Sequence, residues 1–172
     1  MKLLLENWRE YLAEESQPIK KLRIFDFDET IAYTDAEVRA KPPEGKEIGF
    51  PDQQSWDDFI EDVGSVEAAE EAGWSFDFSD YSSVLNPEEN EMITKIIADL
   101  IAANKRNSER ELYVITARGP EARGPIRMYL KSLGLDPRAF KNVIGVAGGS
   151  KRDEIEKIIQ KHQDEEGNTT IE

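Results

Sequence analysis

The sequence contains no cysteine, which excludes disulfide staples, thiol nucleophiles and thiolate-bound zinc. That absence fits a reducing, cytoplasmic setting. A single histidine, His162, is present, and it continues the apolar stripe of Ile155, Ile158 and Ile159 toward a helix end, a packing or capping position. No Ser-His-Asp triad or multi-histidine metal site can be built on one such residue. Acid–base chemistry therefore falls to carboxylates, lysine or tyrosine. No apolar run reaches the roughly 20 residues of a membrane-spanning helix. Leu3-Leu4-Leu5 behind Lys2 is ended by Glu6, too early for a signal-peptide core, so no membrane partner is expected. Lysine and arginine are missing altogether from 52–91, a stretch rich in Asp and Glu. With a net charge of −14, broad nonspecific nucleic-acid binding is disfavoured, because it needs a basic footprint. The bases gather instead over 105–141, including a stripe of Arg123, Arg127 and Lys131. That half leaves room for an anion site, and a polynucleotide end stays open as an alternative partner.

What is present is enough for one domain. The chain has 172 residues, 38% hydrophobic and 34% charged, the balance of a globular protein with a real core. Residues 22–27 (Leu-Arg-Ile-Phe-Asp-Phe) read as a short buried strand. It delivers Asp26 and Asp28 one residue apart, followed by Glu29-Thr30. If the backbone turns just after the strand, both carboxylates approach one ligand. One can attack while the other handles a proton, and together they can hold a divalent cation.

Residues 3–15 predict an amphipathic helix with Leu4, Leu5, Trp8, Tyr11 and Leu12 on one side, set off by Pro18. Residues 1–20 are accordingly assigned to an N-terminal helical segment and 21–172 to the core. Residues 31–85 lack clean periodicity and carry the turn cluster Lys41-Pro42-Pro43-Glu44-Gly45. They are read as an insert, a cap or flap above the strand edge. Within it one short helix is expected behind Ser55 as N-cap and another over 65–72, closed by Gly73. Trp74, Phe76, Phe78 and Tyr81 supply an aromatic group to pack. Asn86-Pro87-Glu88-Glu89 predicts a helix start, with an apolar face of Met92, Ile93, Ile96, Ile97, Leu100 and Ile101. A buried strand over 111–116 follows. Next comes a helix with Ile126, Tyr129, Leu130 and Leu133, stopped by Gly134 with Leu135 folding back. A strand over 142–146 leads through Ala147-Gly148-Gly149-Ser150 to a helix over 151–162, and a last strand begins at Thr169. This alternation implies a parallel sheet with right-handed crossovers.

Three strand ends then share one edge: Asp26 with Asp28, Thr116, and the glycine loop before Lys151. A phosphate placed there would meet a hydroxyl, backbone N–H groups and an ammonium. Taken in order, Ile24-Phe25-Asp26-Phe27-Asp28-Glu29-Thr30, Leu112-Tyr113-Val114-Ile115-Thr116 and Lys151 (with Arg152 as fallback) resemble the successive motifs of the haloacid dehalogenase-like superfamily of phosphotransferases. The resemblance covers residues 22 to about 162 and is most specific in its first motif. It implies an α/β fold, a three-layer Rossmann-like parallel sheet with a small cap inserted after the first strand. It also implies Mg²⁺-dependent phosphomonoester hydrolysis through an aspartyl-phosphate on a small phosphorylated metabolite or nucleotide. By the same resemblance Asp26 is the nucleophile and Asp28 the acid–base. Thr116, Ala117, Arg118 and Lys151 bind phosphate, and Asp26 and Asp28 hold Mg²⁺. The family's fourth motif, acids completing the metal shell after the next strand, is not found before the sequence ends at Glu172. A phosphoprotein phosphatase and a non-catalytic binding module are the remaining alternatives.

Overall fold

The computed structural model describes residues 20–106, 110–166 and 169–171. The helix expected over 3–15 and the turn at 167–168 lie outside the described residues. In chain order the strands and helices are β1 (Lys20–Asp26), β2 (Ala32–Tyr33), β3 (Val38–Lys41), β4 (Ile48–Phe50), α1 (Gln53–Val63), α2 (Val66–Glu71), β5 (Ser75–Asp77), β6 (Glu88–Glu89), α3 (Glu91–Arg106), β7 (Arg110–Thr116), α4 (Arg123–Ser132), β8 (Phe140–Gly145), α5 (Lys151–Glu166) and β9 (Thr169–Ile171).

Four of the strands make a parallel sheet in the order β8-β7-β1-β9. The chain steps from β1 outward to β7 and β8, then returns to the other side of β1. Right-handed crossovers place helices on opposite faces when the direction of travel reverses. Accordingly, Ile97 and Ile101 of α3 and Ile126 and Leu130 of α4 pack with Leu112, Val114 and Val143. Ile155, Ile158 and Ile159 of α5 pack on the other face with Leu22, Ile24, Tyr113 and Ile115. Alternate residues of β7 feed the two cores, which is why it is apolar without interruption from Leu112 to Ile115. His162 is buried, in keeping with its place on the stripe of α5. The reversal makes β1 the switch strand, and α/β sheets bind ligands outside the carboxyl ends at such points.

The insert has a core of its own. Strands β3, β4 and β5 form an antiparallel sheet in the order β4-β3-β5. Val38, Ala40 and Phe50 pack there with Trp56, Phe59, Trp74 and Phe76. The Trp56 ring meets Phe50 and Phe76 edge-on at 5.6 Å, the favourable geometry for opposed quadrupoles. The insert's base is fastened where β2 pairs antiparallel with β6, Ala32 opposite Glu89 and Tyr33 opposite Glu88.

That pairing corrects the expected helix start. Asn86 adopts a left-handed φ of 40°, and Glu88 and Glu89 are drawn into the ladder with β2. The helix begins instead at Glu91, where the Asn90 carbonyl accepts from Thr94 N–H at 2.9 Å. Ladder bonds to a distant strand outweigh a local cap signature worth about 1 kcal/mol. Similarly, α1 is capped by Asp52 rather than Ser55. The Ser55 N–H donates to Asp52 Oδ1 at 2.8 Å. Gly134 does end α4 in the left-handed region (φ 78°), and Leu135 N–H reaches back to the Leu130 carbonyl at 3.1 Å.

Replacing fully buried Leu112 by Ala is expected to cost about 2–5 kcal/mol of stability. Met128→Ala, on the exposed side of α4, should change it by less than about 0.5 kcal/mol. Urea unfolding of the two variants measures both.

Candidate functional site

The chain leaves β1 and turns at once. Ile31 N–H and Ala32 N–H both reach the Phe27 carbonyl, at 2.9 and 3.1 Å, and Glu29 N–H donates back to the Ala32 carbonyl at 2.9 Å. Closing this turn puts Glu29 in the left-handed region, φ 58°, a conformation that costs a non-glycine residue of order 1 kcal/mol. Asp26 and Asp28 thereby come to the same edge. The loops after β7 and β8 are zipped together by Val146, Ala147 and Gly148 N–H groups donating to the Thr116, Arg118 and Ala117 carbonyls, at 3.0, 3.0 and 2.9 Å. The approach is so close that a Cβ on Gly145 would clash with the Gly119 carbonyl. This zipper sets the start of α5, which Ser150 caps by accepting from Asp153 N–H at 3.1 Å, and so brings Lys151 to the β1 end.

Lys151 Nζ lies 2.6 Å from Asp26 Oδ2, while Asp26 Oδ1 accepts from Phe27 N–H at 2.8 Å. Asp26 and Lys151 are each about one-third exposed, 37% for both side chains. They open into a cleft of about 460 Å³ between the strand ends and the insert, which Asp28, Glu29, Tyr33, Asp52, Tyr81 and Ala117 also line.

Asp28 is held from behind. The Arg118 guanidinium places Nε 3.1 and 3.0 Å from the two Asp28 oxygens and a terminal nitrogen 2.7 Å from Oδ1. Thr116 Oγ1 lies 3.1 Å from Oδ2. The remaining Arg118 donors go to the insert: Thr34 Oγ1 at 2.8 Å, the Tyr81 carbonyl at 3.3 Å, and the Ser83 carbonyl. Phe27 and Tyr81 present their rings to the guanidinium at 5.4 and 5.1 Å. Its side chain is 0% exposed.

The expected site residues thus separate. Asp26, Asp28, Ala117 and Lys151 line one cleft. Thr116 is buried beneath it on Asp28. Arg118, expected to bind phosphate, is buried behind Asp28 with its donors spent, because the insert supplies acceptors that a sequence reading could not place. The glycine loop is not an amide cradle as observed: Gly148 N–H goes to Ala117 and Gly149 N–H to the Val146 carbonyl at 2.8 Å. The basic stripe on α4 is also partly structural, since Arg123 bonds the Val143 carbonyl and Arg127 the Pro137 carbonyl, at 2.9 and 2.8 Å. Sequence reasoning missed Tyr33, Thr34, Asp52 and Tyr81 as members of the site and gave Glu29, part of the first motif, no role; the acidic and aromatic character of the insert was the signal for Asp52 and Tyr81.

Two insert groups have displaced ionisations. Burial first, then the Asp28 charge, push the Tyr81 phenol up, so it lines the cleft as a neutral group. The backbone and side-chain bonds from Ser55 hold the Asp52 carboxyl below its usual range, keeping it charged.

Among the described residues no three His, Cys, Asp or Glu side chains gather as a metal cluster. The donors at hand are the Asp26 and Asp28 oxygens beside further carboxylates in the cleft. The set is oxygen-only, and the Asp26 and Asp28 oxygens are already engaged by Lys151, Phe27 N–H, Arg118 and Thr116.

Removing Asp28 strands a buried guanidinium, whereas removing Asp26 leaves Lys151 free to turn to water. Asp28→Ala should therefore cost about 3–5 kcal/mol and Asp26→Ala about 1 kcal/mol or less, as compared by urea unfolding.

Set beside known proteins, the chain matches no family model, no curated protein and no solved structure.

Proposed function

We propose that the chain is a phosphomonoester hydrolase of the haloacid dehalogenase-like kind, with a Rossmann-like core, a cap formed by the insert, and a small phosphorylated metabolite or nucleotide as substrate. The observation that carries the reading is the Asp26–Lys151 pair, 2.6 Å apart at the carboxyl end of the switch strand and open to a cleft. A carboxylate beside an ammonium is a nucleophile with the countercharge that an anionic substrate requires. In the first step an Asp26 oxygen forms a bond to phosphorus as the ester P–O bond breaks, and Asp28, having taken up a proton from water as substrate binds, gives it to the leaving oxygen. In the second, water attacks phosphorus, Asp28 takes its proton, and the Asp26 O–P bond breaks. Lys151 holds the phosphoryl oxygens through both steps. Thr116, beneath the cleft, keeps Asp28 in place rather than touching phosphate. Mg²⁺, held by Asp26 and Asp28, would supply the charge neutralisation that one lysine cannot.

A second reading has its own observation. Arg118 and Thr116 engage both Asp28 oxygens, and an acid–base residue so fully bonded suits a binding module that does not turn over. The two readings part on activity.

Phosphate release from an aryl phosphate and a nucleotide panel should rise with Mg²⁺ and vanish with a chelator. Asp26→Asn should lower it by at least about a thousandfold, and Lys151→Ala by about a hundredfold. Substrate binding without release at any Mg²⁺ concentration favours the binding module.

A further inference from the structure

Charge is distributed unevenly in the cleft. On one wall Lys151 meets Asp26. On the others stand Glu29, fixed by its left-handed turn (φ 58°), and Asp52, at the N-cap of α1. Lys151 is the sole base among the described residues that line the cleft. Arg118, behind Asp28, is fully buried and directs its donors to Asp28, Thr34 and the 81–83 backbone. No lysine or arginine occurs anywhere in 52–91, so the insert has none to swing inward from α1, α2 or the aromatic turn after β5.

We infer that the cleft selects phosphomonoesters bearing one phosphoryl group on a leaving group without negative charge, and rejects those carrying a second phosphate or a carboxylate. The inference rests on the phosphomonoesterase reading of the same site. One phosphoryl group finds Lys151. A second anion on the same molecule, confined to a cleft of about 460 Å³, lies within a Debye length (about 8 Å at physiological ionic strength) of Glu29 and Asp52. Asp28, also on the lining, adds to the negative charge that a second anion meets. Tyr33, half-exposed at 49%, and neutral Tyr81 offer rings to an uncharged cyclic leaving group, which makes a nucleoside a suitable probe.

The test compares a nucleoside 5′-monophosphate with the 3′,5′-bisphosphate of the same nucleoside, at fixed ionic strength and saturating Mg²⁺. The expected result is a kcat/KM at least about tenfold higher for the monophosphate. In the Glu29→Gln, Asp52→Asn double variant that ratio should fall toward one, Asn being retained as a helix cap. The same ratio is read as relative Kd on Asp26→Asn by calorimetry, a measurement that needs no turnover. Absence of turnover with the binding ratio intact therefore counts against hydrolysis and supports the selectivity. Equal or tighter binding of the bisphosphate, a ratio indifferent to the double variant, or binding of neither nucleotide overturns it.

Discussion

The arrangement depends on a guanidinium with no route to water. Taking the Arg118 charge out of solvent costs several kcal/mol unless every donor finds a partner. The partners come from three parts of the chain: Asp28 after β1, Thr34 after β2, and the Tyr81 and Ser83 carbonyls at the end of the insert. The planar fork leaves little freedom in where these groups sit. A single side chain therefore fixes the carboxylate two residues beyond Asp26 and anchors the insert over the strand ends. Phe27 and Tyr81 close the remaining sides. The residue that a motif reading assigns to the ligand is spent on architecture, and the burden of meeting an anion passes to Lys151.

That transfer accounts for the charge economy of the cleft. Asp28 is matched by Arg118 and Asp26 by Lys151, while Glu29 and Asp52 add negative charge without a lining base to offset it. A phosphate dianion placed there alone would be opposed. The proposed chemistry calls on a hard divalent cation to relieve that conflict.

Much of this was legible in the residues. The apolar run Leu112–Ile115 of β7 is suited to burial between two layers, and its alternating contacts with α3 and α4 on one face and α5 on the other follow from that pattern. The Asp26-x-Asp28 spacing and the Gly134 stop depend on local backbone chemistry, which sequence records well. What was not legible depends on partners far away in the chain. Asn86 carries a cap signature, yet pairing of Glu88 and Glu89 with β2 overrides it. Gly148 and Gly149 look like a phosphate cradle until their N–H groups are seen to zip the loops after β7 and β8. Arg118 looks like a phosphate ligand until the insert's Thr34, Tyr81 and Ser83 are seen to take its donors.

The most direct test of the nucleophile is to catch it loaded. Acid quench of the wild-type protein during turnover of a nucleoside monophosphate, followed by mass spectrometry of the peptide carrying Asp26, should find a phosphoryl group on that carboxylate. It should form and decay at rates matching phosphate release, and be missing from Asp26→Asn. Phosphate release that continues undiminished in Asp26→Asn, or a phosphoryl group trapped on any other residue, contradicts the account.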